Sequence, residues 1–382
     1  LSSWLFIGGS MKMSKGLLLL LLAAVFSVGC TKQETAKTDG KKDDKIVMGA
    51  LIRNLDEDFV RIYADNLRAL AEARGVELKL LDARNDQGNQ LDQLNTLLTQ
   101  GIKYFVIIPV QTEMTEQMAQ AINEKGGGAS FSNIQPSEEA LRVSKNFFLA
   151  SSPESVAGKI QADIIDDYFK KFPAKLLPNN TINVLMLLGQ LGHPAQVLRT
   201  NAVLDGLTAK GYNVEILAKD TANWKPDEAQ QKMDAWIAAY RDKFNLVIAN
   251  NDGMALGAVE SLMTNKYTDD PSDPAKDADG DGTVLRIPVI GVDATPVALQ
   301  SMKENKLYAT VLQDAKGQSE TAFDLAYAVA KNGTAIGIQA GGVRAAESVT
   351  PGEPPSDKQD LLPQCYLVPF KPVTKDNYQS LQ

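Results

Sequence analysis

Short apolar runs alternate with amphipathic helical segments along most of the chain, and this alternation constrains the fold more than any other feature. In the clearest unit, residues 245–258, an apolar run is followed at once by Asn250, Asn251 and Asp252 and then by small and apolar residues at helical spacing. That pattern predicts a buried parallel strand that opens into a helix. Because open α/β sheets bind ligands at the carboxyl ends of strands, we expect these polar side chains to face a ligand. An ordinary helix cap and turn is the alternative explanation.

The alternating units form two series, one on each side of Pro136. Short links between strands and helices predict parallel, doubly wound sheets with right-handed crossovers. Two series are more than one sheet needs, so we expect an α/β protein with two doubly wound lobes, joined by a hinge of three strands. The predicted strands are residues 46–52, 76–81, 104–109, 129–132, 182–188, 213–218, 246–249 and 288–292.

Each lobe is expected to combine two separate pieces of the chain. A length of 382 residues suits two domains better than one hydrophobic core. The expected crossovers are residues 133–136, 311–314 and 361–367. The expected lobes are residues 46–134 with 312–362, and residues 135–311 with 363–382.

The first 30 residues are expected to be a leader that is not part of the fold. A short basic start precedes an apolar run at residues 17–26, which is too short to span a bilayer and is typical of a secretory signal. The run ends in Ser27-Val28-Gly29-Cys30, which resembles a bacterial lipobox, so Cys30 is expected to carry a lipid. A plain signal peptide with a chance cysteine is the alternative. Residues 1–10 precede a better start at Met11 or Met13.

Residues 31–45 contain almost nothing apolar, so we expect them to be a flexible tether. The net charge of −8 argues against a nucleic-acid partner, because phosphates require a basic face. The only other cysteine, Cys365, would be a lone thiol if Cys30 is acylated, and no disulfide would form.

Polar and aromatic side chains recur where predicted strands meet helices. Their chemistry suits a carbohydrate, because amides, carboxylates and guanidiniums pair with vicinal hydroxyls, while an aromatic face stacks on the C–H side of a sugar ring. Charge-assisted hydrogen bonds of about 1.5–3 kcal/mol each, with stacking, reach roughly micromolar affinity. Taken singly, each residue could also be a helix cap, a solvated charge or a core aromatic. The residues are Glu57, Phe59, His193, Arg199, Trp224, Asn251 and Asp293.

Several short blocks, dense between residues 189 and 318, resemble the bacterial galactose/glucose-binding proteins. That family consists of periplasmic receptors with the type I, ribose-binding-like fold. The similarity is collinear from about Ile46 to the C-terminus. The blocks are Gly192-His193-Pro194 with Arg199, Asp220-Thr221-Ala222 with Trp224, residues 232–236, residues 247–252, Gly291-Val292-Asp293-Ala294, and Thr310-Val311-Leu312 with Asp314.

The resemblance implies roles for individual residues. Phe59 and Trp224 would sandwich a pyranose, and its hydroxyls would bond to His193, Arg199, Asn251 and Asp293. Four positions depart from the family pattern, which leaves the identity of the sugar open. Glu57 stands where a shorter acid is usual, Gln313 replaces an asparagine, Pro109 an amide and Ala195 an aspartate.

The calcium loop of that family has no counterpart here, because residues 172–180 lack carboxylates and its distant glutamate aligns with Asn245. By contrast, Asp277, Asp279 and Asp281 have the oxygen spacing of an EF-hand-like loop, which makes calcium a candidate cofactor. Position twelve of that loop is Pro288 rather than a glutamate, so a soluble acidic loop is the alternative.

The sequence therefore predicts a periplasmic, lipid-anchored, monomeric receptor for D-glucose or D-galactose, which closes on its sugar. Its expected partners are an ABC permease and, as a second output, a chemoreceptor. A sugar-modifying hydrolase that uses Asp293 or Glu57 is the main alternative, although no nucleophile motif or phosphate loop is present. A different small carbohydrate would also suit these residues. A sugar-responsive transcription factor is the third hypothesis, but a leader and a tether occupy the place of its DNA-binding helices.

Overall fold

Two largely parallel sheets with helices on both faces form the unit Lys45–Gln382. The computed structural model describes residues 45–269, 282–335, 338, 340–344 and 362–381. This architecture confirms the predicted α/β fold with two lobes. Within the described ranges, no helix combines the length and apolar character that crossing a bilayer requires.

The strands are β1 (Val47–Ile52), β2 (Glu77–Asp82), β3 (Tyr104–Ile107), β4 (Gly128–Ser132), β5 (Phe147–Ser151), β6 (Thr181–Leu188), β7 (Asn213–Thr221), β8 (Leu246–Ala249), β9 (Val289–Ile290), β10 (Thr310–Leu312), β11 (Val343–Arg344), β12 (Cys365–Leu367) and β13 (Lys371–Val373). The helices are α1 (Asp58–Ala73), α2 (Gln87–Thr99), α3 (Thr115–Glu124), α4 (Glu138–Arg142), α5 (Glu154–Lys171), α6 (Pro194–Ala209), α7 (Pro226–Tyr240), α8 (Asp252–Thr264), α9 (Pro296–Lys303) and α10 (Ala315–Asn332).

The first lobe contains a sheet of order β11-β12-β5-β4-β3-β1-β2, in which only the β11–β12 pair is antiparallel. Buried side chains of β1 alternate between two clusters. Met48 and Ala50 pack against α1 and α10 on one face. Leu51 packs against α2 and α3 on the other. The sheet is thus covered on both faces, as expected for a doubly wound fold.

The second lobe contains the parallel sheet β7-β6-β8-β9. The sheet continues into β10 through single bridges from Ile290 to Ala309 and from Asp293 to Leu312, and β13 pairs antiparallel with β10. Strand β8 is buried on both sides. Its carboxyl end, which the sequence identified as a strand-to-helix junction, opens into α8.

The chain passes between the lobes at three places, and two of them differ from the expected crossovers. Strand β5 still pairs with β4, so the first passage follows Ser151 and not residues 133–136. Strand β12 pairs with β5, so the third passage occupies residues 368–370 and not 361–367. The sequence analysis did not predict β5, although its five residues are all buried.

Hydrogen bonds connect all three passages. Gln318, at the start of α10 after the second passage, donates from Nε2 to Ser152 Oγ at 2.7 Å. Ser152 belongs to the first passage and donates from Oγ to the carbonyl oxygen of Val368 in the third, at 2.6 Å. One serine hydroxyl therefore links the three segments of the hinge.

Candidate ligand-binding site

A cavity lies between the lobes, where the carboxyl ends of parallel strands from both sheets meet. Every ligand-binding residue predicted from the sequence lines this cavity, and three further residues join them. The predicted residues are Glu57, Phe59, His193, Arg199, Trp224, Asn251, Asp293 and Gln313. The additional residues are Arg53, Asn133 and Ala195.

Trp224 reaches the cavity through an unusual backbone conformation. Asn223 and Trp224 have φ angles of 50° and 66°, in the left-handed region that non-glycine residues seldom occupy. The indole ring lies directly on Gly189, where a Cβ atom would come within 2.1 Å of the ring. Its edge also contacts the imidazole of His193, with ring centroids 5.1 Å apart. The glycine and the turn thus fix the aromatic wall of the cavity.

Arg199 is buried at the start of α6 and connects several parts of the hinge region. Its Nε donates to Glu154 Oε2 at 2.7 Å, its Nη1 to the carbonyl oxygen of Asn250 at 2.7 Å, and its Nη2 to Gln313 Oε1 at 2.8 Å. Glu154 follows the first passage and Gln313 lies in the second. The guanidinium is therefore held rigidly before any ligand enters.

Asp293 is a second carboxylate beside Arg199, with Oδ1 3.8 Å from Nη1, farther than Glu154. It has a φ of 127°, a strained conformation that recurs at functional sites. Burial raises the pKa of Asp293 well above its usual value, and Arg199 offsets this only in part. Its Oδ1 atom is buried and accepts no hydrogen bond from the described residues.

His193 precedes α6 and caps that helix, because its Nδ1 accepts a hydrogen bond from the backbone N–H of Ala195 at 3.1 Å. Burial lowers the pKa of His193 well below its usual value, and the charges of Arg53 and Arg199 lower it further. The ring is therefore neutral at physiological pH. Since Nδ1 accepts, the proton must lie on Nε2, which becomes a donor in the cavity.

Asn251 caps α8 through its side-chain oxygen, which accepts from the N–H of Met254 at 3.0 Å. Its amide nitrogen donates to the carbonyl oxygen of Trp224 at 3.3 Å. The cap of α8 is therefore Asn251 and not Asp252, the residue for which the sequence suggested a cap, and the Asn251 side chain also lines the cavity. Capping and lining the cavity are compatible at this position.

Arg53 and Glu57 form an ion pair on the first-lobe side of the cavity, between Nη2 and Oε2. Arg53 Nη1 also donates to Asn85 Oδ1 at 3.3 Å, and Asn54 Nδ2 donates to Glu57 Oε1 at 3.4 Å. Burial raises the pKa of Glu57, against the effect of the neighbouring Arg53. Both oxygens of this carboxylate therefore have protein partners.

Four buried polar atoms of cavity-lining residues have no hydrogen-bond partner in the part of the chain that the structure describes. A buried polar group without a partner costs about 1–3 kcal/mol. Four of them lie around this one cavity. Three donate and the carboxylate oxygen accepts, which complements hydroxyl groups because these do both. The atoms are Arg53 Nε, His193 Nε2, Trp224 Nε1 and Asp293 Oδ1.

Two of the three polar side chains after β8, those of Asn250 and Asp252, do not line the cavity, contrary to expectation. Asn250 turns into the lobe, where its Oδ1 accepts from the N–H of Gly189 at 3.0 Å. Asp252 is fully buried and accepts from Thr310 Oγ1 at 2.5 Å and from the N–H of Thr295 at 2.9 Å. A sequence identifies the junction, but the side-chain direction at each position depends on neighbouring strands.

Some sequence predictions fall outside the described residues. Cys30, the expected lipidation site, and the expected calcium ligands Asp277, Asp279 and Asp281 all lie in undescribed segments. Within the described ranges, no group of three or more His, Cys, Asp and Glu side chains could hold a metal ion.

Arg53, Asn133 and Glu154 were not identified from the sequence. Arg53 and Asn133 directly follow β1 and β4, so the junction rule that identified the other residues applied to them as well. Glu154 begins α5, directly after the first passage. The sequence had placed that passage at residues 133–136. A systematic survey of residues that follow each strand would have found the first two.

Comparison with known proteins gives a consistent result. A family model described as the periplasmic binding protein domain matches residues 48–334. The chain is 28% identical over 333 residues to the D-galactose/methyl-galactoside-binding periplasmic protein of Haemophilus influenzae, which covers 86% of this chain and 90% of that protein. It is 27% identical over 310 residues to a xylitol-binding protein of Mycolicibacterium smegmatis, covering 81% and 79%.

Solved structures show the same fold. The crystal structure of an ABC transporter solute-binding protein from Bacillus halodurans C-125 with bound myo-inositol has a TM-score of 0.68 to this chain. The two are 24% identical, and the match covers 88% of this chain and 97% of the other.

Proposed function

This chain belongs to the periplasmic binding protein family, and we propose that it captures D-glucose or D-galactose between its lobes and delivers it to an ABC permease. Its relatives bind solutes, so the chain is a binding protein and not an enzyme. The hydrolase hypothesis therefore has no support. The family also implies a periplasmic location.

The observation that carries the proposal is the set of four unpaired polar atoms at a cavity lined by Phe59 and Trp224. A pyranose offers hydroxyls to these atoms and apolar C–H faces to the rings.

A cyclic polyol without an anomeric centre, such as myo-inositol, is the second candidate. Ala195 lines the cavity where the galactose/glucose-binding family is expected to carry an aspartate near the anomeric hydroxyl. A methyl group cannot accept a hydrogen bond, so an anomeric hydroxyl gains little at this point. Ala195 therefore favours a ligand whose recognition does not depend on an anomeric hydroxyl.

Isothermal titration calorimetry with a panel of matched ligands tests these proposals. The panel pairs D-glucose with its epimer D-galactose and with 1-deoxy-D-glucose, and adds myo-inositol, xylitol and D-ribose. We expect a hexose to bind with micromolar or better affinity, near −8 kcal/mol, and 1-deoxy-D-glucose to bind nearly as well as D-glucose. Tighter binding of myo-inositol would favour the second candidate. Binding of none of the six would overturn both.

The proposed receptor works as a monomer that is tethered to the membrane by a lipid on Cys30. A chemoreceptor that recognises the closed lobes is its second proposed partner. The lipobox-like sequence before Cys30 supports the anchor. Fractionation of cells that express Cys30→Ser tests it, because release of the protein from membranes is expected and unchanged retention would contradict it.

A further inference from the structure

The first lobe presents two charged residues to the cavity, and their contacts differ. We infer that Arg53 is the charged residue with which the first lobe hydrogen-bonds the ligand, and that Glu57 and Asn85 are positioning residues that act through Arg53. The inference rests on the proposed function, because it concerns the same cavity. It also revises the role that the sequence implied for Glu57.

Arg53 is suited to direct contact because its guanidinium is fixed and still has capacity to donate. Only 2% of the residue is exposed to solvent. Nη2 is bound by Glu57 and Nη1 by Asn85, while Nε is buried without a partner in the described part of the chain. A guanidinium held at two nitrogens can direct a third donor with little further loss of entropy.

Glu57 is engaged elsewhere. It occupies the N-cap position of α1 with an extended backbone, yet its side chain makes no capping hydrogen bond. The carboxylate instead receives bonds from Arg53 at Oε2 and Asn54 at Oε1. The residue therefore uses its charge to orient Arg53 and not to cap the helix.

Asn85 supports Arg53 from the other side and does not line the cavity. Arg84 and Asn85 have φ angles of 54° and 58°, two successive left-handed residues. The N–H of Asn85 donates to the carbonyl oxygen of Arg53 at 2.6 Å, and its side-chain oxygen accepts from the guanidinium. A strained turn is thus held around Arg53, and the strain serves to place one side chain.

Arg53 lines the cavity from the first lobe, and His193 lines the same cavity from the second lobe. The unpaired Nε of Arg53 and the unpaired Nε2 of His193 both donate. A ligand oxygen between them would connect the lobes, and a ring oxygen or hydroxyl suits this role.

A double-mutant cycle with Arg53→Met and Glu57→Gln tests the inference. Calorimetric Kd values are measured for the sugar that the wild-type full chain binds most tightly. We expect Arg53→Met to weaken binding by roughly 10- to 100-fold, and Glu57→Gln to weaken it less. The double variant should match Arg53→Met, because a residue that acts through Arg53 has no effect once Arg53 is gone. The inference is overturned if the double variant binds the sugar more weakly than Arg53→Met does, by the same factor that Glu57→Gln alone causes in the wild type.

Asn85→Ala provides a second test that does not alter any cavity-lining residue. It should weaken sugar binding and change the ranking among the sugars, and Asn85→Asp, which keeps the acceptor oxygen, should restore most of the affinity. The control is Asn89→Ala, which removes a hydrogen bond of the same loop to the carbonyl oxygen of Ala83. Equal effects of Asn85→Ala and Asn89→Ala would contradict the positioning role.

The outcomes separate this inference from the proposed function. If the wild-type chain binds no sugar, the proposed function and this inference both fail. If it binds a sugar and Arg53→Met binds that sugar equally well, only this inference fails.

Discussion

Asp293 combines features that a ligand-binding carboxylate requires and a stable fold does not. Its backbone is strained, its Oδ1 lacks a partner among the described residues, and its nearest cation, Arg199, is shared with Glu154 and Gln313. Burial raises its pKa, and the carboxylates of Asp252, Glu154 and Glu57 raise it further. The unliganded protein therefore bears a free-energy cost at this residue that a ligand hydroxyl relieves.

This cost predicts how the stability of unliganded protein depends on pH. A carboxyl whose pKa is higher in the folded than in the unfolded state stabilises the fold at pH below its usual value of 3.8, and that stability is lost as pH rises through the folded pKa. We therefore expect wild type to lose stability relative to Asp293→Asn as pH rises above 3.8 and through the raised pKa of the folded state. Urea denaturation at each pH measures the difference.

Asp252, whose pKa burial raises to about 7, is present in both proteins but interacts with Asp293, so the measured difference reports the two carboxyls together. A difference between wild type and Asp293→Asn that stays constant with pH would show that burial does not raise the pKa of Asp293. Its role as an unpaired acceptor would then need another explanation.

At the residue scale, the sequence predicted which side chains surround the cavity but not what each one does there. All eight predicted residues line it, because the carboxyl ends of parallel strands must meet at one edge. Asn250 and Asn251 show the limit of this rule. They are identical neighbours after β8, yet one bonds inside the lobe and the other lines the cavity. The two side chains differ in their partners: Asn250 bonds to Gly189 and Asn251 to Trp224, and neither partner is adjacent to them in sequence.

At the scale of elements, the hydroxyl of Ser152 is a specific hinge contact. Ser152→Ala would leave Gln318 Nε2 and the carbonyl oxygen of Val368 without the bonds they make in the native protein. We expect a loss of about 1–3 kcal/mol in the free energy of unfolding, measured by urea denaturation.

Ser130→Ala is the matched control for that substitution. Ser130 is fully buried in β4, and its Oγ has no partner within the described residues. Removing this hydroxyl should leave stability unchanged or raise it slightly, because no hydrogen bond is lost. If both alanine variants lose the same stability, the three-way hinge contact contributes nothing specific.

The strands and helices themselves were largely predictable, whereas the passages between lobes were not. Strand β8 and helix α8 follow from an apolar run and a capping residue, which are local signals. Strand β12 is a short piece whose membership in the first sheet depends on pairing with β5, more than 200 residues away in sequence. Local periodicity carries no information about such a partner.

At the scale of the whole molecule, the cavity requires both lobes, since residues of each contribute its walls. A ligand that bonds to Arg53 from one lobe and to His193 from the other stabilises only the closed arrangement. In the proposed function, binding of a sugar shifts the population of molecules toward closed lobes, without any chemical step. The proposed permease would then recognise the closed, sugar-loaded form.

Tryptophan fluorescence tests the central claim, binding of a sugar between the lobes against Trp224. A chain that lacks the expected leader, residues 1–30, retains only Trp224 and Trp236. Titration with D-glucose, D-galactose and myo-inositol is compared for this protein, Trp224→Phe and Trp236→Phe. We predict a saturable change in emission that persists in Trp236→Phe and disappears in Trp224→Phe. A change that persists in Trp224→Phe and disappears in Trp236→Phe, or no response to any of the three ligands, would contradict the account.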